Sequence, residues 1–158
     1  MKTTFKLVAF LLTITLLSCN ANLNLNDGIE GSGNVITEKR TINESFDKIS
    51  ASTGVTVIVE QGSPNDVEVE TDDNLMQYVI TKVENGTLIV KIEGNINTMS
   101  SIDVRVRMSS IVGLESTSGS RITSKNTLKG STIAVKSSSG SEIDAVLEYE
   151  NVSCESSS

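Results

Sequence analysis

The chain has no histidine and no tryptophan, one proline, two cysteines and five aromatic residues among 158. Each shortage excludes something. Without histidine, the commonest general base and metal ligand is gone. Two cysteines do not make a disulfide framework. Few aromatics leave little platform for stacking bases or sugar rings. No apolar run approaches the roughly 20 residues of a membrane span. Positive charge is also short, with 13 basic against 20 acidic residues and a net charge of −7. That balance argues against nucleic acid as a partner. A compact sandwich core usually needs aromatic bulk, whereas stacked layers of Val, Ile and Leu do not.

The N-terminus is present in recognisable parts. Lys2 and Lys6 form a basic stretch, and Leu7 to Leu17 is an apolar segment broken only by Thr13 and Thr15. It is too short to span a membrane and reads as a secretory signal over residues 1–18. It closes with Leu16-Leu17-Ser18-Cys19, which resembles a bacterial lipobox. We therefore expect lipidation of Cys19 and a membrane partner through that lipid, since several acyl chains together anchor stably. Removing residues 1–18 takes away two lysines and no acids, deepening the charge from −7 to −9. Residues 19–33, rich in Asn and Gly, read as a lipidated tether. Residues 34–158 form one β domain.

Within that domain the period is two. Val55, Val57 and Val59 alternate with Thr56, Ile58 and Glu60. Val67, Val69 and Thr71 alternate with Glu68 and Glu70, and Ile102, Val104 and Val106 with Asp103, Arg105 and Arg107. These are half-buried strands. Asn85-Gly86 between apolar runs predicts a tight hairpin, because a type I′ turn needs positive φ at both central residues. One stretch departs from the pattern. Leu75, Met76, Val79 and Ile80 follow Asp72-Asp73, which predicts one short helix with an aspartate as N-cap.

The second half repeats itself. "STSGS" at Ser116–Ser120 returns as "SSSGS" at Ser137–Ser141, 21 residues later. In that register Val112-x-Leu114 falls on Ile133-x-Val135, Ile122 on Ile143 and Leu128 on Tyr149. A two-residue shortening then places Val152-x-Cys154 as the next copy. Self-similarity at this period predicts a parallel β-solenoid with equivalent residues stacked about 4.8 Å apart. The serine-glycine phrase becomes a corner, where glycine permits positive φ and small hydroxyls bond the turn. Cys154, in a Leu/Val position, is expected as a buried thiol. The chain stops partway through a copy. We expect a C-terminally truncated solenoid or, failing that, self-association through the edge of the last coil.

"GSGNVITEKRTINESFDKISASTGVTVIVEQGS", residues 31–63, and "DDNLMQYVITKVENGTLIVKI", residues 72–92, resemble the head GIN domain family. The resemblance lies in Gly31-Ser-Gly-Asn-Val35, Phe46-x-x-Ile49, Gly54-x-x-Val57 and Gln61-Gly62, together with the later serine-glycine repeats. It implies an all-β, right-handed solenoid-like domain of Bacteroidetes-type lipoproteins labelled auto-transporter adhesins. It carries over no catalytic or ligand residues.

The reading that follows is a non-catalytic module of the cell envelope, lipid-anchored to the outer membrane on its periplasmic or surface face. It would act as an adhesin or as a protein-binding scaffold for a protein or glycan partner. No residue is assigned a catalytic, cofactor-binding or metal-binding role. Two alternatives stand beside it. A polysaccharide-active β-helix enzyme would use Asp103, Arg105 and Arg107, which share one strand face; the plainer view is a solvated charged face. An extracytoplasmic sensor would need a partner to carry its signal.

Overall fold

The computed structural model of the chain describes residues 28–158, so the signal sequence and Cys19 lie outside the described residues. The strands are β1 (Ile29–Glu30), β2 (Val35–Lys39), β3 (Lys48–Ser52), β4 (Thr56–Gln61), β5 (Asp66–Asp72), β6 (Val79–Glu84), β7 (Thr87–Ile92), β8 (Ile96–Thr98), β9 (Ile102–Met108), β10 (Gly113–Ser116), β11 (Arg121–Ser124), β12 (Leu128–Ser138), β13 (Glu142–Asp144) and β14 (Leu147–Ser157). The expected short helix is a single 3-10 turn at Met76–Tyr78, with no side-chain cap. It is too short for its apolar residues to form a helical face; Leu75, Met76 and Val79 are buried, while Ile80, on β6, is only half-buried. Among the described residues no helix is long and apolar enough to cross a membrane.

Two six-stranded sheets face one another. One runs β14-β12-β10-β3-β7-β6 and the other β13-β11-β4-β9-β5-β2. From β14 to β7 and from β13 to β9 every neighbour is parallel. The outer pairs β6–β7, β5–β9 and β2–β5 are antiparallel. The hairpin predicted at Asn85-Gly86 joins β6 to β7, with φ of 51° and 75°. Val57 and Val59 of β4, Val67 and Val69 of β5, and Ile102, Val104 and Val106 of β9 point inward and are almost fully buried. At roughly 1.5–3 kcal/mol for each fully buried aliphatic side chain, they supply the main favourable term.

The repeat begins earlier than the 21-residue spacing reveals. Gly113–Ser116 pairs in register with Lys48–Ala51, and Arg121–Ser124 with Thr56–Val59. "SASTGVT" is thus a further copy of the phrase, with Ala51 and Val55 where the later copies carry serine. β3–β4 is the middle of the stack: β7 and β9 cover it on one side, β10 and β11 on the other. Ala51, Val55, Val57 and Val59 are accordingly fully buried.

The corners also stack. Thr53-Gly54, Ser118-Gly119 and Ser139-Gly140 all take positive φ, the conformation for which glycine is suited. The Gly54 N–H donates to the Ser118 carbonyl at 3.0 Å, and the Gly119 N–H to that of Ser139 at 3.1 Å. The hydroxyl of Ser120 lies 2.8 Å from the Ala51 carbonyl and that of Ser141 lies 2.6 Å from the Ser116 carbonyl. Each phrase therefore bonds to the coil before it. On the opposite corner the Asn126 amide pairs with both backbone groups of Gln61 at 2.9 Å, in the manner of one more strand residue.

One expected alignment is shifted. Leu128 pairs with Leu147, and Tyr149 lies opposite Gly130. The two-residue shortening occurs in the corner after β13, where Ala145-Val146 replaces the four residues 124–127. Tyr149 lies against Gly130, where a Cβ would approach its ring to 2.6 Å, and its hydroxyl donates to the Ile111 carbonyl at 2.7 Å. Cys154 is corrected too. It pairs with Val135 as its position in the repeat requires, but β14 is an edge strand and the thiol is exposed.

Candidate interaction surface

Three features of the surface carry chemistry. The first is the outer face of the second sheet. Pairing of β9 with β4 and β5 sets Arg107 opposite Glu60 and Asp66, and Arg105 opposite Ile58 and Glu68. Arg107 reaches Glu60 at 3.3 Å, Lys125 reaches the same carboxylate at 3.1 Å, and Arg105 reaches Glu70 at 3.1 Å. Lys125 and then Arg107 hold the Glu60 carboxyl below its ordinary range, and Arg105 does the same for Glu70. Between them lies a depression of about 160 Å³, lined by Ile58 and by charged side chains that include Glu60, Glu68, Arg105 and Arg107. Asp103, Arg105 and Arg107 do share this face, as their alternation requires. Both arginines are held in ion pairs on an open sheet, with Glu68 and Asp103 beside them on the same face. Among the described residues no cluster of His, Cys, Asp or Glu is arranged to hold a metal ion.

The second feature is a buried carboxylate. Asp72, expected as a helix cap, is fully buried at the end of β5. It accepts hydrogen bonds from the Ser100 N–H at 2.8 Å, the Ser100 hydroxyl at 2.9 Å and the Gly33 N–H at 2.8 Å. The Ser100 N–H, above all, holds its pKa below the ordinary value. Asp73 binds the Ser32 hydroxyl and the Asn34 amide, and the Asn74 amide donates to the Glu30 carbonyl. With β1 paired to β8, these bonds fasten residues 29–34 to the domain. The stretch expected as tether is described only from residue 28, and from there it is already held.

The third feature is the charge pattern of the last coil, whose edge the sequence already singles out. Arg121 pairs with Glu142 at 2.8 Å, Lys129 with Glu148 at 2.7 Å and Lys136 with Glu155 at 3.0 Å. In all three pairs the base stands on the inner coil and the acid on the outermost one. The signal was available in the sequence: residues 137–158 contain five acids and no lysine or arginine. β14 carries Glu148, Glu150 and Glu155 and also exposes Val152 (47%) and Cys154, while Glu142 and Asp144 lie on β13.

The comparisons agree with this architecture. Crystal structures of a "putative adhesin" from Bacteroides fragilis (TM-score 0.74, 19% identity) and of another from Parabacteroides distasonis (TM-score 0.67, 22% identity) each match 82% of the chain. One from Parabacteroides merdae matches 71% of it, with a TM-score of 0.64 and 23% identity. The matches span 61%, 58% and 47% of those proteins' own lengths, in the same order. At such identities the likeness is one of fold. No curated protein matches the sequence. The profile described as "Putative auto-transporter adhesin, head GIN domain" matches residues 45–158, well over half the chain, and the chain belongs to that family.

Proposed function

We propose that this domain is a non-catalytic binding module of the cell envelope, lipid-anchored at Cys19 to the outer membrane, with adhesion or scaffolding as its task. The observation that carries the reading is the stacked body itself. Coils bonded to one another through backbone and hydroxyl groups make a stiff support, and its outer faces carry many charged side chains, several of them in ion pairs. Such a surface suits contact with another macromolecule, and membership of an adhesin family goes with a place outside the cytoplasm. We read the winding as right-handed, the hand that parallel crossovers overwhelmingly take. Protein contact along strand ladders is favoured over glycan contact, because the described residues hold only Phe46, Tyr78 and Tyr149 as aromatics. Phe46 is buried, and Tyr78 and Tyr149 pack against the core.

Protease shaving of intact cells carrying the full-length protein tests the reading, with Cys19→Ala as the control. Retention of the wild type in the membrane fraction and release of the variant are expected. Cleavage on intact cells supports adhesion. Cleavage only after the outer membrane is opened supports scaffolding inside the envelope. A wild type that fractionates as a soluble protein overturns the anchor.

A further inference from the structure

We infer that the outer face of the first sheet is a two-fold contact surface for a second copy of this chain, with Lys48 of each copy set against Glu115 of the other. The unpaired charges point there. Eleven lysines and arginines lie among the described residues, and ten of them make an ion pair. Among those residues Lys48 alone makes none, in a chain where acids outnumber bases by 20 to 13. Glu115 is also without an ion pair, because its in-register neighbour Lys136 pairs with Glu155 instead. Lys48 and Glu115 are both exposed.

The register keeps the two apart within one copy. Lys48 stands opposite Gly113, and Ser50 opposite Glu115, on the neighbouring strands β3 and β10. The charges therefore hold two opposite corners of a rectangle of roughly 4.8 by 6.6 Å, and Ser50 and Gly113 hold the other two. All four positions share the outer face, because Ile49 and Leu114 between them point inward and are buried. Gly113 lets the Lys48 stem lie flat: a Cβ there would stand 3.1 Å from the Lys48 Cγ. Ala134, in register with Gly113, continues the row of small residues. Lys48, Thr87, Gly113, Glu115, Ala134 and Lys136 line a depression of about 130 Å³ on this face.

A two-fold axis lying between two such faces, along the Ser50–Gly113 diagonal, brings each Lys48 over the Glu115 of the other copy. The positions near the axis, which must face themselves, are then Ser50, Gly113 and Ala134. They are small and uncharged, so the faces can approach closely. An isologous contact has this form, with residue i on j and j on i. It makes two ion pairs from charges that a single copy leaves unmatched. A partner of one charge sign would instead cover one of the two residues and leave it desolvated without a counter-charge.

Sedimentation velocity on the whole protein tests this, and depends neither on the anchor nor on the choice between adhesion and scaffolding. Wild type should show a concentration-dependent dimer. Each substitution enters a two-fold contact twice, so Lys48→Glu and Glu115→Lys should each weaken dimerisation at least tenfold. Mixed in equal amounts, the two variants should dimerise again, because one then presents two acids at the contact and the other two bases. Ser50→Arg gives an independent route to loss, by setting like charges face to face near the axis. Circular dichroism checks that each variant keeps the fold. A wild type that stays monomeric at millimolar concentration would overturn the proposal. So would a dimer indifferent to both reversals, or folded variants that fail to dimerise when mixed.

Discussion

The phrase at Ser116–Ser120 and its copy at Ser137–Ser141 share three internal side-chain bonds, yet only the first is sealed. Ser116 and Ser120 are buried, while Ser137 and Ser141 are half-buried. The pattern extends to the core, where Ile122 is fully buried and Ile143, in the same register, is not. Nothing in the phrase accounts for the difference. The inner copy has a coil on each side, while the outer copy lacks strand cover beyond β13. Burial in this domain is a property of the stack, and each residue's contribution depends on how many neighbours its coil has.

Mutations at paired positions can break that comparison. The largest gap is expected for Ile122→Ala against Ile143→Ala. The first should cost about 3–4 kcal/mol, within the usual range for a sealed isoleucine, and the second about 1–2 kcal/mol. Equal losses in chemical denaturation would mean that the two coils are equally closed in solution. Next comes the hydroxyl clamp. Ser120→Ala removes the group that receives the Thr117 N–H and faces the Ala51 carbonyl, at about 1–2 kcal/mol. Ser141→Ala should cost roughly half as much, because water can reach its partners. Ser139→Ala, at the exposed tip of the corner, should barely move the melting temperature.

A local effect is expected where the N-terminal segment meets the body. Asp72 titrates below its ordinary value of 3.8, so its contribution is fully present above that value and is lost as pH falls through the lower folded pKa. Hydrogen exchange of residues 29–34, corrected for intrinsic rate, should stay flat from pH 7 to pH 5 and lose protection below 3.8. Asp72→Asn should loosen the segment at every pH and remove that dependence. The smallest effects belong to the surface pairs. Lys129→Ala and Arg121→Ala remove exposed ion pairs, at most about 1 kcal/mol each by chemical denaturation.

Much of the architecture was legible because period two and period 21 are both written in side-chain type. The alternating strands, the Asn85-Gly86 turn and the stacked serine corners follow from them. What escaped did so for physical reasons. Ala51 and Val55 replace serines in the most buried coil, so the first copy of the phrase loses its polar signature where the core is densest. It is also separated from the next copy by β5–β9, which hides the period. Met76–Tyr78 carried helical spacing without the length to form a helix. Asp72 looked like a cap because aspartates before apolar residues usually are; its real partners, Gly33 and Ser100, are distant in sequence. Cys154 was placed correctly in register, but register alone does not say whether a strand is covered. For the surface, alternation put Asp103, Arg105 and Arg107 on one face, but the acids that neutralise the two arginines come from β4 and β5. The acidic last coil was visible only by noticing where lysine and arginine stop.

The corner bonds have one more consequence. The Gly54 and Gly119 N–H groups donate to the next corner outward, while the Ser120 and Ser141 hydroxyls reach the coil before. The middle phrase, with Gly119 and Ser120, therefore carries both halves of its own joint, like a brick moulded with peg and socket. Duplicating or deleting about 21 residues in frame would change the height of the stack by one course, roughly 4.8 Å, without requiring a new kind of corner. Height would then vary in steps of one coil while the faces of the remaining coils stay as they are.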